Sequence, residues 1–331
     1  MEEVKVAKKQ FSKLGLMFFL GTIIIYVAQL IPMLIIRAVK PEWISDPNMN
    51  IIISVLPLYL VGMPLLIMLV KKVPAINIER RKMKPGAFVI AAIMCFAVMY
   101  VSNIVGNVIT IIISMIKGGA VENVVAQMTN ETSLWLIILY MVICAPIMEE
   151  YIFRKLIVDR TARFGQGVAI VTSGLMFGLF HGNLNQFAYA FTLGIFLAYL
   201  YVKTGNIKIT IALHMMINFV GGFISTILMR VLDLEEMEIA LASPDMQVMM
   251  DYMMNNLGGL IGIMLFAFFV FGMMIAGGIL LIVNLCQKKF VLAKGEVEIP
   301  KGKKFSAVML NVGMILYSIF WIVMIAIQLF S

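Results

Sequence analysis

Residues 132–154 read TSLWLIILYMVICAPIMEEYIFR. No charge interrupts the run from Thr132 to Met148, and at about 1.5 Å per helical residue it crosses most of a hydrocarbon core of about 30 Å. Two adjacent carboxylates then follow, Glu149 and Glu150, with Arg154 four residues beyond the second. A helix that is lipid-soluble until it carries two acids predicts a membrane protein with a polar site inside it, and the rest of the chain has the same character. Of its 331 residues 62% are hydrophobic and 13% are charged, and the mean hydropathy is +1.00. A water-facing shell takes about a quarter of a chain as charged residues. Half of that is present, so most of the outer surface faces lipid.

Nine stretches are long and apolar enough to span: 14–36, 51–70, 86–116, 132–148 continuing past Glu149, 164–180, 182–202, 209–229, 257–286 and 305–331. No alternating strand pattern is present, so the expected fold is all-α, a polytopic bundle of about nine transmembrane helices. The third and eighth stretches are overlong and are expected to tilt or to break at their glycines. Alternate loops differ in charge. One side collects 22 of the 26 Lys and Arg, the other only Arg37, Lys40, Lys117 and Arg230, which predicts a cytoplasmic N-terminus, an external C-terminus and, in a bacterium, residence in the plasma membrane. The first run is too long for a signal peptide and reads as a span. The net charge of +8 is dispersed in short loop groups and does not point to nucleic acid. Cys95, Cys144 and Cys286 are odd in number and lie in apolar surroundings, so no disulfide framework is expected. The organisation expected is N-terminal spans over 1–133, a catalytic core over 134–230, an acidic, Met-rich outer loop over 231–256 and C-terminal spans over 257–331.

Ionisable groups inside a membrane are costly and therefore informative. Glu150 and Arg154, four apart, share a helix face and can pair, while Glu149 points elsewhere. The chain's two histidines both fall in apolar runs, His181 four residues after Phe177 and His214 four before Asn218. Two imidazoles, a carboxylate and a carboxamide on apolar helices make a hydrolytic site plausible, with a base for water and donors for an oxyanion. These groups are expected to converge on one water-accessible cavity in the inner half of the membrane. Singly, each has a blander reading as an interhelical hydrogen-bond partner or a helix-end ion pair.

The ordered set Glu149-Glu150-x-x-x-Arg154, Phe177-x-x-x-His181 and His214-x-x-x-Asn218 resembles the motifs of the CPBP, or Abi, family of CAAX prenyl endopeptidases and bacteriocin-processing enzymes, over about a quarter of the chain. The resemblance implies an intramembrane endopeptidase acting on a membrane-embedded, lipidated or peptide substrate. It implies that Glu149, with His181, polarises the attacking water, that His214 and Asn218 stabilise the oxyanion, and that Glu150 and Arg154 hold the geometry. Zinc stays open: Glu149, His181 and His214 could supply a three-ligand site, although His-Glu-x-x-His is absent, and a metal-free glutamate mechanism uses the same residues. A non-enzymatic scaffold or bacteriocin self-immunity protein is the alternative reading, and a transporter would call for a repeat that the sequence lacks. Cys144 is expected to be inert. Met246, Met249, Met250, Met253 and Met254 form one stripe, read as an amphipathic helix on the outer leaflet rather than a Cu(I) site. Neither the substrate nor an oligomeric state can be read.

Overall fold

The structure is a computed structural model that describes residues 1–121, 123–232 and 234–330, apart from the side chains of Leu234 and Glu235. The end of the ninth stretch at Ser331 and the start of the acidic loop at Asp233 lie outside the described residues. The described chain is helical, and eight helices are long and apolar enough to cross a membrane. We label the long helices α1 (Glu2–Val39), α2 (Pro47–Val70), α3 (Pro85–Lys117), α4 (Leu134–Phe164), α5 (Gln166–Phe180), α6 (Leu184–Thr204), α7 (Ile207–Val231), α8 (Leu257–Cys286) and α9 (Val312–Phe330). The shorter one is α5, which completes an integral, multi-pass bundle of about nine helices.

Local chemistry sets the ends. Asp46 accepts from the backbone N–H of Met49 at the start of α2, and Asn183 and Asn206 cap α6 and α7 in the same way. Gly118 and Gly205 close α3 and α6 in the left-handed conformation. The overlong α3 and α8, expected to tilt or to break at their glycines, run unbroken; α8 uses Gly277 to lie against the backbone of Ile93 in α3. The last stretch does break. A short helix, Lys304–Val308, precedes α9, and Asn311 accepts from the N–H of Met314 to start α9 afresh.

The base-rich loops meet at one end of the bundle. Lys13 donates to the carbonyl of Lys72, the N–H of Ile76 to Asp159, the N–H of Arg81 to Thr204 and the N–H of Val297 to Arg163. At the other end Asn48 accepts from the N–H of Ser133, Lys117 donates to the Leu329 carbonyl, and Arg230 holds the carbonyls of Thr129 and Thr132. The Met-rich stripe is helical over Met246–Asn255, with Met246, Met250, Met253 and Met254 exposed.

The core that carries the polar residues is assembled by close helix approach. In α5 a Cβ on Gly174 would stand 2.9 Å from the backbone nitrogen of Ile195 in α6, and one on Gly194 would stand 2.9 Å from the Cα of Gly174. Gly15 of α1 and Gly313 of α9 meet backbone to backbone, since a Cβ on Gly15 would be 2.4 Å from the Met314 nitrogen. From α9, Tyr317 reaches inward and donates to the carbonyl of Met176, one residue before Phe177.

Candidate active site

Helix α4 is not uniformly α-helical. It winds as π-helix over Ile137–Cys144, as α-helix over Ala145–Glu149, and as π-helix again over Glu150–Val158. Such wide turns occur mostly where function requires them. The two glutamates stand at the second change of register, Glu149 facing a partly open space and Glu150 fully buried.

A buried carboxylate must be compensated, and Glu150 is compensated from two sides. Arg154, also without exposure, donates from Nη2 to Oε1 at 2.8 Å. The same oxygen lies 3.0 Å from Nδ1 of His214 in α7, and Thr210, one turn before His214, faces the carboxylate as well. The Arg154 guanidinium sits 4.4 Å over the ring of Phe177 and reaches the Ser173 hydroxyl at 3.4 Å. Ser173 in turn donates to the Phe153 carbonyl at 2.7 Å. Ser173 and Thr210 were missed in the sequence, although each lies four residues before a motif residue and so shares its face.

His214 connects the two acids. An ionised carboxylate can only accept, so Nδ1 carries the proton toward Glu150, and in the neutral ring Nε2 is then the acceptor. That Nε2 stands 3.8 Å from Oε2 of Glu149, beyond a direct hydrogen bond. His181 stands differently. Its Nδ1 is 2.9 Å from the carbonyl of Phe177, which only accepts, so the ring is folded back on the last turn of α5. Its edge meets the Phe177 ring with centroids 4.8 Å apart, and the same ring meets His214 at 5.8 Å. Phe177 thus touches both imidazoles and Arg154. The imidazole whose approach to Glu149 is described is that of His214; the pairing of Glu149 with His181 was what the family resemblance implied. Spacing along a helix fixes which residues share its face, not which neighbouring helix that face meets.

Asn218 donates from Nδ2 to the carbonyl of Met141 at 2.8 Å. In the π register this carbonyl would receive the N–H of residue 146, but Pro146 has none, and the N–H of Ala145 goes to Tyr140. A proline in α4 therefore exposes the acceptor that holds Asn218, and leaves the second amide hydrogen of Asn218 for other use. Asn218 and Met141 also line a cavity of about 550 Å³ between α3, α6 and α7. Of the expected site residues Asn218 is the one in its described lining, and the cavity runs toward the base-poor end of the bundle, as its far wall is the helix Val124–Asn130.

Among the described residues no three His, Cys, Asp or Glu side chains gather closely enough to hold an ion, so the residues present do not fit a three-ligand zinc site. The Nδ1 bonds of the two histidines do not bear on this, since a metal-ligating imidazole also commits one nitrogen to a protein acceptor and binds through the other. Cys95, Cys144 and Cys286 are free thiols.

Residues 131–220 match the profile of the Rce1-like type II CAAX prenyl endopeptidases. The segment contains Glu149, Glu150, Arg154, Phe177, His181, His214 and Asn218. The chain carries a CPBP-family, CAAX-protease-like domain. A curated relative with the same character is the membrane-embedded CAAX protease MroQ of Staphylococcus aureus (strain USA300), 25% identical over 217 residues that cover 61% of this chain and 85% of MroQ. No solved structure matches the chain. At family level, then, the likeness is to intramembrane proteases of the CAAX type. The CAAX-protease-like domain comprises α4 to α7 up to Val220, and α1, α2 and α9 brace it from outside the matched segment.

Proposed function

We propose that the protein is an intramembrane endopeptidase that hydrolyses a peptide bond of a lipidated or membrane-embedded protein or peptide, with Glu149 and His214 holding the attacking water. The observation that carries this reading is the 3.8 Å gap between Glu149 Oε2 and His214 Nε2, with His214 fixed through Nδ1 by Glu150. Two acceptors at that separation can each take one hydrogen of a single water, which then presents its oxygen lone pair to a carbonyl carbon.

The water oxygen bonds to the carbonyl carbon and its proton passes to Glu149. The carbonyl oxygen, now negative, is met by the second amide hydrogen of Asn218. Collapse breaks the C–N bond, and the proton held by Glu149 goes to the leaving nitrogen, giving a carboxylic acid and an amine. The partial positive charge that His214 gains as Nε2 accepts the water's second hydrogen is opposed by Glu150, itself paired with Arg154. His181, anchored by Nδ1 to its own helix, offers Nε2 as a further polar group beside Phe177. The N-terminus is cytoplasmic in this reading and, in a bacterium, the membrane is the plasma membrane; the uneven loop charge supports it.

The test is cleavage of a lipid-embedded reporter by purified Glu149→Ala and wild-type protein, each monodisperse, with and without chelator. Loss of cleavage in the folded variant, and cleavage by wild-type that survives chelation, is the expected result. Full activity in Glu149→Ala would move the weight to a non-enzymatic scaffold or self-immunity role, and loss on chelation with recovery on added zinc would restore the metal reading.

A further inference from the structure

The cavity of about 550 Å³ beside Asn218 has an unusual wall for a membrane interior. Eight of its lining residues are carboxamides and, among the described residues, none is charged, which suits a neutral ligand that both donates and accepts hydrogen bonds. Membrane carboxamides commonly tie helices together, and two here do so: Asn185 of α6 accepts from Thr110 of α3 at 2.8 Å, and Asn218 holds Met141. Asn103 and Asn107, midway along α3, do not follow that pattern. Asn107 donates to Asn103 at 3.1 Å within the same helix, leaving both groups with capacity toward the cavity. Beside them the Tyr100 hydroxyl is buried and has no hydrogen-bond partner among the described residues. The opposite wall is kept bare by Gly221 and Gly222, where a Cβ would collide with Met99 and Met141.

An extended peptide in a bilayer has the need that this wall meets. A scissile segment cannot be helical while it is cut, and each backbone N–H and C=O it frees is without a partner in hydrocarbon. A carboxamide carries the same donor and acceptor as a peptide unit. From Asn218 to Met229 along α7 the cavity wall is roughly 15 Å long at about 1.5 Å per residue, which accommodates four or five extended residues at about 3.3 Å each.

We propose that this cavity is a peptide-backbone site, in which Asn103, Asn107 and Tyr100 bond the main chain of four or five extended, uncharged substrate residues on the base-poor side of the scissile bond. The proposal rests on the endopeptidase reading for its orientation relative to the cut. Recognition runs through the main chain, so the segment is selected for being extended and neutral rather than for particular side chains.

The test uses full-length protein in nanodiscs carrying Glu149→Ala, and as probe a fluorescent acetylated hexapeptide amide of alanine and leucine with a C-terminal alkyl anchor. Binding is followed by polarisation. Asn103→Leu, Asn107→Leu and the smaller change Tyr100→Phe should each weaken it by roughly three- to tenfold, the scale of one hydrogen bond. N-methylation of one central peptide bond should weaken wild-type-cavity binding similarly and have little further effect in the Asn variants, while shuffling alanine and leucine changes nothing. Unfolding temperatures establish that the variants are folded, and Tyr100→Phe keeps the test alive if an Asn variant is not. Binding indifferent to all three substitutions, or one that follows side-chain order and ignores N-methylation, overturns the proposal. Binding that behaves as expected in a protein that cleaves nothing with Glu149 intact would sink the endopeptidase reading and leave the peptide site standing.

Discussion

Removing Arg154 should damage the fold more than any other change in the site, and replacing its partner as well should repair most of the damage. Arg154 and Glu150 are both completely buried, 2.8 Å apart, in the interior of α4. In Arg154→Ala the Glu150 carboxylate keeps only His214 and Thr210 as polar neighbours, and a buried ion that loses its partner costs about 3–5 kcal/mol. The guanidinium also lies 4.4 Å over Phe177, a contact worth about 2 kcal/mol when desolvated. The two contributions overlap, since the same charge makes both, and a loss of about 4 kcal/mol is expected. The double variant Glu150→Gln, Arg154→Met carries no charge and nearly the same volume, so it should return to within about 1–2 kcal/mol of wild type. Activity should not return with it, because a carboxamide can accept from His214 Nδ1 but cannot oppose charge on the ring. The assay is reversible unfolding in mixed micelles by titration with a denaturing detergent, with cleavage measured in parallel. Arg154→Ala as stable as wild type, or a double variant no more stable than Arg154→Ala, would refute the reasoning.

Asn218→Ala should lower the rate about 10²- to 10³-fold with little loss of folded protein, and Pro146→Ala, by giving Met141 a backbone partner, should free the Asn218 amide and lower the rate less; equal rates in both variants and wild type would discard the oxyanion role. Gly313→Val should prevent folding, because a Cβ there would fall 2.5 Å from the backbone nitrogen of Leu16; a monodisperse variant with a wild-type unfolding midpoint would contradict the close crossing of α1 and α9. In a cysteine-free background, Lys8→Cys and Asn130→Cys should be labelled from opposite faces of the membrane by an impermeant maleimide, and labelling from one face would overturn the three crossings by α1, α2 and α3.

Hydropathy alone made the long helices legible, because a span must be apolar for its full length whatever it touches. It misjudged the last one, where Asn311 restarts the helix so that Gly313 can meet Gly15; the reason lies some 300 positions away in the chain. The polar residues were legible in the same way, by spacing within one helix, and so were Glu150 with Arg154 and Phe177 with His181. The approach of His214 to both acids depends on how α7 lies against α4, and the π register of α4 on which Asn218 docks depends on bonds between neighbouring turns. Neither leaves a periodicity in the sequence. Pro146 did leave a mark, since a proline inside a span always leaves an acceptor unserved.

The crossing of α1 and α9 also sets a timetable. A ribosome delivers α1 before the helices of the site and α9 after them. Phe177, against which both imidazoles rest, belongs to a helix whose Met176 carbonyl is held by Tyr317, so the brace behind the site arrives with α9, after α4 to α7 have been made. A nascent chain still tethered at the translocon has its glutamates and histidines in the bilayer without that brace. The order of synthesis thus leaves the site without its brace until α9 has closed on α1.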